Sequence, residues 1–281
     1  MPIALIFHDV VPAQEFDASG FAGAGAARYK FFEEEFRLYL AALDGVARRA
    51  RPRAAESDSP TEPALPFLLT FDDGGRSAHS IVAGLLEERG WRGQFFISTD
   101  FLDTPAFLTR EEVGELHRRG HVIGSHSCSH PPRMSDCTPE QLVLEWRQSC
   151  QILAEIIGEQ ITTASVPGGF YSRPVAAAAA QAGITVLFTS EPTAFPHVVD
   201  GCIVKGRYSI DRGVPIETMS AIAAGRFLPR WQQALAWQAK KAAKTLAGPL
   251  YADLRERWLR QSYEAHQPPG KDRPTSSEVR S

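Results

Sequence analysis

Residues 68–75 read LLTFDDGG, an apolar run rich in β-forming residues that delivers two adjacent carboxylates, Asp72 and Asp73, into a glycine turn. Successive side chains on a strand point to opposite faces, so neighbouring aspartates at its end can do different work. One can hold a metal ion while the other accepts a proton. Asp and Gly also favour turns by themselves, so the segment alone is equally consistent with a solvated turn.

Strand-like and helix-like patterns alternate around this segment. Strands interleaved with helices of this length predict βα units on a parallel sheet or barrel. Besides the run that begins at Leu68, the predicted strands are Ile3–Val11, Gly93–Ser98, His121–Ser125, Ile161–Val166 and Thr185–Thr189, and the predicted helices are Tyr29–Arg48, Ser77–Arg89, Thr109–Arg119, Thr138–Gly158 and Arg173–Ala182.

The composition is that of an ordinary globular protein: 281 residues, 43% hydrophobic, 22% charged. A net charge of -3 gives no argument for nucleic acid binding. Four cysteines without a Cys-x-x-Cys pair predict neither a disulfide scaffold nor a zinc ribbon. The N-terminus lacks a basic region before its short apolar stretch, and no apolar run approaches the ~20 residues of a membrane span, so we expect a cytoplasmic protein.

A second polar segment, GSHSCSHPP at residues 124–132, follows the predicted strand that ends at Ser125. It places His126 and His130 four residues apart, a spacing that metal sites often use. The alternative is two unrelated histidines on a polar loop. Cys128 lies between them and is not expected to be a ligand, because alternate residues on so short a loop are unable to face one metal together.

Both polar segments lie at the carboxyl ends of predicted parallel strands, where active sites gather in barrels and open α/β sheets. One carboxylate and two histidines leave a divalent metal with open positions, as a catalytic site requires. The joint occurrence therefore predicts a metal centre that activates water beside a second carboxylate that takes the proton.

The motif TFDDG followed by His-Ser-x-x-His resembles the polysaccharide deacetylases, the NodB-homology or carbohydrate esterase family 4 enzymes, which hydrolyse N-acetyl groups of amino sugars. The resemblance extends from about Ile3 to Ser209. It implies a distorted (β/α) barrel of fewer than eight units. It also implies that Asp72 is the catalytic base and that the metal, usually zinc in this family, is held by three ligands: Asp73, His126 and His130.

The third motif of the family departs from its usual Arg-Pro-Pro-Tyr-Gly. Here the corresponding stretch begins at Ser165, so the arginine that would orient Asp72 is absent from it. The backbone N–H that holds the oxyanion in the family would come from Gly168. Residues 168–171 match the Gly-Gly-x-Tyr pattern of the subgroup related to poly-N-acetylglucosamine deacetylases, in which the order of motifs is permuted.

The family's late motif with a general-acid histidine is not visible in this chain. The opening segment IFHDVVP resembles the YHxV segment of the permuted subgroup and makes His8 the candidate acid that protonates the leaving amine. His197 is the alternative, although its surroundings match no motif of the family.

Three regions are predicted: a deacetylase-like barrel at residues 1–228 with a surface loop at 51–66, a basic amphipathic helical extension at 229–262, and a disordered tail at 263–281. The extension can contact an anionic membrane surface peripherally, or pack on the barrel with its charges in water.

The expected function is metal-dependent removal of the N-acetyl group of an amino sugar or glycan, at the inner membrane if the extension binds lipid. One alternative is deformylation or hydrolysis of another non-peptide C–N bond of a lipid-linked sugar. The other is that the protein is a catalytically inactive, sugar-binding relative of the family.

Overall fold

The computed structural model describes residues 2–13, 15–50 and 65–239. The predicted tail at 263–281, nearly all of the surface loop at 51–66 and the extension beyond residue 239 lie outside the described residues. None of the helices in the described ranges combines the length and the apolar character that a membrane crossing requires.

The elements alternate between strand and helix as predicted, with further short strands near the end of the barrel. The strands are β1 (Ile3–Phe7), β2 (Val10–Val11), β3 (Phe31–Phe32), β4 (Phe67–Phe71), β5 (Gln94–Ile97), β6 (Val122–Ser125), β7 (Thr163–Ser165), β8 (Val186–Phe188), β9 (His197–Val199), β10 (Cys202–Lys205) and β11 (Tyr208–Ser209). The helices are α1 (Ala24–Ala27), α2 (Glu33–Ala50), α3 (Ala83–Glu87), α4 (Arg110–Arg118), α5 (Pro139–Ile157), α6 (Arg173–Gln181), α7 (Ile216–Ala223) and α8, whose described part is residues 227–239.

The main sheet has nine strands in the order β11-β1-β4-β5-β6-β7-β8-β10-β9. Its pairs are parallel except for β9 with β10, and helices between successive strands cover its outer surface. Among the described residues, β11 does not pair with β9, so the curled sheet stays open on one side. This confirms the distorted (β/α) barrel with fewer than eight units.

The central strands are buried on both faces, as is usual for parallel strands. All five residues of β1 are buried, and a row of rings runs from Phe7 through Phe71 to Phe95 with centroids 5.7 and 5.1 Å apart. Phe36 of α2 packs edge-on against Phe7. Because Phe71 directly precedes Asp72, this packed row gives the polar end of β4 a rigid support.

The prediction of one strand over Ile3–Val11 is wrong, since the chain leaves the main sheet after Phe7 and pairs again only as β2 with β3. The physical reason lies at Asp9, whose buried carboxylate accepts hydrogen bonds from the hydroxyls of Ser19 and Ser77. The backbone N–H of Val10 donates to the Ser77 hydroxyl at 3.1 Å, a bond that competes with pairing to a neighbouring strand. The break places His8 at the edge of the barrel rather than in the middle of a strand.

Candidate active site

Four segments that follow parallel strands meet in one open cavity of about 940 Å³. β1 supplies His8, β4 supplies Asp72 and Asp73, β6 supplies the two histidines, and the stretch after β7 supplies Gly168. Parallel strands end at the same edge of a sheet, so residues distant in sequence converge there. The structure thus brings together all six residues that the sequence analysis selected: His8, Asp72, Asp73, His126, His130 and Gly168.

Asp73, His126 and His130 form a compact group in which the three possible ligand atoms lie within 4.8 Å of one another. Each Nε2 atom of the two histidines is 3.4 Å from Oδ1 of Asp73. The Nδ1 atom of His126 lies 3.0 Å from the backbone oxygen of Ser165. Such a carbonyl takes the Nδ1–H and leaves Nε2 as the lone-pair side of the ring, which is the arrangement a metal ligand needs.

Burial raises the pKa of Asp73, but the contacts with His126 and His130 lower it by more, so the pKa lies well below its ordinary value. For His130, burial lowers the pKa and the Asp73 carboxylate raises it by more. Asp73 is therefore held as an anion in contact with two imidazoles. Two nitrogen donors and one anionic oxygen donor fit a divalent metal of the zinc type.

The backbone at these ligands is unusual for residues with side chains. Asp73 has φ 77° and His130 has φ 52°, both in the left-handed region. Gly74 continues the turn at φ 84°, and a Cβ atom there would lie 3.0 Å from the side chain of Ile97. Strained conformations of this kind persist where the surrounding structure determines them, often at functional sites.

Glu145 of α5 holds the stretch between the two histidines. Its carboxylate accepts hydrogen bonds from the backbone N–H groups of Cys128 and Ser129, both at 2.9 Å, and from the Ser129 hydroxyl at 2.7 Å. The Cys128 thiol lies 3.5 Å from the backbone oxygen of Glu145, and burial raises its pKa to about 11. Among the described residues, Cys128 is not part of the group of possible metal ligands. No feature of the local sequence identifies Glu145 as the partner of this loop.

Asp72 is oriented by Arg207, which the sequence analysis did not select. The guanidinium of Arg207 donates to Oδ1 and Oδ2 of Asp72, each at 2.7 Å, and Arg207 has no exposed surface. It also donates to Thr70 Oγ1 at 3.0 Å and to the Thr189 backbone oxygen at 3.2 Å. The absence of an arginine from the third motif is therefore compensated by one that precedes β11.

The surroundings of Asp72 keep it ionised. Burial raises the pKa of this carboxyl, but the charges of Arg207 and then His126 outweigh burial, so the pKa lies below its ordinary value. Ser165, at the motif position where the family has arginine, donates its hydroxyl to Asp72 Oδ1 at 3.2 Å. Asp72 is thus a fixed anion beside the three-residue cluster.

His8 lines the cavity, and its charged form would lower the pKa of both aspartates. Its Nδ1 atom is buried and has no hydrogen-bond partner among the described residues. Its ring lies 4.8 Å from that of Tyr29. The alternative, His197, is exposed on β9 and bonds to the Tyr171 hydroxyl at 2.8 Å, and it is not among the described residues that line the cavity.

Gly168 adopts φ 61° in the turn after β7. A Cβ atom at this position would come within 3.3 Å of both the Phe170 ring and the backbone oxygen of Pro132. Glycine therefore suits both the conformation and the close approach, and it leaves the backbone at the cavity surface.

A buried lysine supports the loop that contacts His130. Lys30 donates from Nζ to three backbone carbonyls of loop 16–21 at 2.6–2.7 Å, and burial lowers its pKa. The same loop contributes a hydroxyl to the buried carboxylate of Asp9. The loop ends at Phe21, whose ring lies 4.9 Å from the ring of His130. Sequence reasoning missed this support, because nothing local distinguishes Lys30 from a surface lysine.

Comparisons with known proteins point to one family. A family model described as polysaccharide deacetylase matches residues 60–187. The chain is 26% identical over 202 residues to YxkH of Bacillus subtilis, whose name places it with the polysaccharide deacetylases, and the match covers 70% of this chain and 69% of that protein.

Two solved structures share the fold. The deacetylase PplD of Streptococcus pyogenes, in complex with acetate, has a TM-score of 0.59 and 17% identity, covering 77% of this chain and 95% of that one. IcaB from Ammonifex degensii has a TM-score of 0.57 and 18% identity, covering 79% and 95%. At such identities the likeness shows the fold alone.

Proposed function

This chain belongs to the polysaccharide deacetylase family, hydrolases of carbon–nitrogen bonds other than peptide bonds, and on that premise we propose that it removes the N-acetyl group from an amino sugar of a glycan. One observation carries the proposal. The buried carboxylate of Asp72 is held by Arg207 on both oxygens. It lies next to three residues that can bind a metal ion, in a cavity of about 940 Å³.

We propose that Asp73, His126 and His130 hold a divalent metal, zinc by resemblance to the family. The three donor atoms lie within 4.8 Å of one another, and His126 is already oriented by the Ser165 backbone oxygen. When bound, zinc supplies Lewis-acid chemistry: it lowers the pKa of water and polarises an amide carbonyl.

The proposed roles of the other residues follow from their surroundings. Asp72 accepts a proton from the attacking water, since Arg207 keeps the carboxylate ionised and aims it. The Gly168 N–H stabilises the developing oxyanion, a contribution of about 3 kcal/mol in related acyl-transfer sites. His8 protonates the departing amine, because an amine anion is too poor a leaving group to depart without a proton.

Acetate release tests the function directly. The purified protein with one equivalent of zinc should release acetate from N-acetylglucosamine oligomers, and removal of the metal with a chelator should stop the reaction until zinc is returned. Formate from N-formyl sugars in the absence of acetate would replace the proposal by deformylation. Bound oligomer without any hydrolysis product would mean an inactive sugar-binding relative.

The acid role of His8 predicts an effect that depends on the leaving group. His8→Ala should lower acetate release from the N-acetyl sugar by about 100-fold, since general-acid catalysis contributes on this scale. Hydrolysis of p-nitrophenyl acetate, whose leaving group departs without a proton, should stay near its original rate. An equal loss on both substrates, or a selective loss in His197→Ala instead, would assign the acid elsewhere.

Peripheral membrane contact through 229–262 and a cytoplasmic location also stay proposals. The described residues at the start of that region support contact, because α8 exposes Phe227, Leu228 and Leu235 near Arg226 and Arg230. Apolar side chains flanked by arginines suit an anionic lipid surface. Co-sedimentation with anionic but not neutral liposomes tests the contact, and equal recovery with both would contradict it.

A further inference from the structure

The cavity is larger than the hydrolysis of an acetamide group requires. At about 940 Å³ it lies near the upper end of the ~300–1,000 Å³ range of small-molecule sites. The proposed catalytic residues and the three possible metal ligands supply one part of its lining. Another part comes from α8, which lies outside the residues 60–187 that match the family model.

α8 faces the cavity with Gln233, Ala236 and Trp237. Residues spaced three and four apart share one face of a helix, so this set is a continuous wall. A hydrogen bond of 2.8 Å joins this helix face to the barrel, donated by Nε2 of Gln233 to the backbone oxygen of Ser209 at the end of β11. The helix is therefore held in place where it borders the cavity.

Trp237 gives this wall a broad aromatic surface. Its side chain is half-buried against the cavity, whereas Trp231, on the same helix, is 48% exposed and does not line it. Tyr29, Phe170 and Tyr171 line other parts of the cavity, which is thus rich in rings. A flat aromatic face packs well against the C–H face of a pyranose ring.

We propose that Trp237, on a helix outside the family match, forms an aromatic subsite for a sugar ring beside the one that loses its acetyl group. This inference rests on the proposed function. Trp237 is then a determinant of specificity that binds substrate without touching the reacting atoms.

The test compares two substrates in three variants. Trp237→Ala should lower kcat/KM for an N-acetylglucosamine tetramer by about tenfold, while kcat/KM for the monomer changes less than twofold. Trp237→Phe should recover most of the loss, because it restores an aromatic face. Trp231→Ala, a tryptophan of the same helix on the solvent side, serves as the matched control and should leave both values unchanged.

Binding gives a readout that is independent of turnover. In an Asp72→Asn background with zinc present, calorimetry with the tetramer should show about tenfold weaker binding when Trp237→Ala is added. Acetate release from both substrates with an unchanged tetramer-to-monomer ratio in Trp237→Ala would overturn the subsite and leave the deacetylase function standing. A protein that neither binds the tetramer nor releases acetate would overturn both.

Discussion

Replacing Asp72 by asparagine should lower acetate release from N-acetylglucosamine oligomers by about 10³-fold while zinc stays bound. Asparagine has nearly the shape of aspartate but is unable to accept a proton at neutral pH. The effect should be large because Asp72 is fixed as an anion, held on both carboxylate oxygens by Arg207 at 2.7 Å. Acetate assay together with zinc content per protein measures both halves of the prediction.

The neighbouring residue supplies the matched control. Asp73→Asn should also lose activity, but through loss of zinc, because Oδ1 of Asp73 lies 3.4 Å from both histidine Nε2 atoms. The two variants thus differ in metal content rather than in rate. Equal zinc loss in both, or undiminished turnover in Asp72→Asn, would contradict the division of roles between these adjacent acids.

Replacing Arg207 by methionine should lower the free energy of unfolding by about 3–5 kcal/mol, the usual cost of leaving a buried charge without its partner. Both side chains are almost completely buried, so water is unable to screen the remaining carboxylate. Chemical denaturation measures the loss. Replacing Arg110, which is in an exposed ion pair with Asp103, by methionine should cost less than about 1 kcal/mol.

Combining the two changes separates stability from catalysis. Asp72→Asn with Arg207→Met removes both charges, so the double variant should regain part of the stability that Arg207→Met alone loses. Activity should stay absent, because the base is missing. A double variant no more stable than Arg207→Met would mean that the arginine stabilises the barrel through its other contacts, to Thr70 and Thr189.

In the proposed mechanism, Arg207 also sets the pH at which Asp72 works as the base. Burial alone raises the pKa of Asp72, and the charge of Arg207 is the largest influence that lowers it. A base is active above its pKa, so in Arg207→Lys, which keeps a charge but loses the two-pronged contact, the acidic limb of the kcat/KM profile should move to higher pH. Zinc content measured across the same pH range separates this shift from loss of metal.

Much of the framework is readable from local patterns. The predicted strand ending at Ser125 and the predicted helix over Thr138–Gly158 match β6 and α5 within one or two residues, since each has its own periodicity and its own terminal residues. α5, for example, begins after a Thr138–Gln141 capping box and ends at Gly158 in the left-handed conformation. The break after Phe7 was not readable, because its cause is a pair of distant serines.

The sequence alone determined that the polar residues following different strands lie at one edge of the sheet, because the carboxyl ends of parallel strands share that edge. Asp72, Asp73, His126 and His130 could be selected on that basis. Only the tertiary structure decided what surrounds them. Arg207 reaches Asp72 across 135 positions of sequence, and α8 brings Trp237 to the same cavity. Such contacts leave no periodic or motif signal, since they depend on how the sheet curls and which helix closes over it.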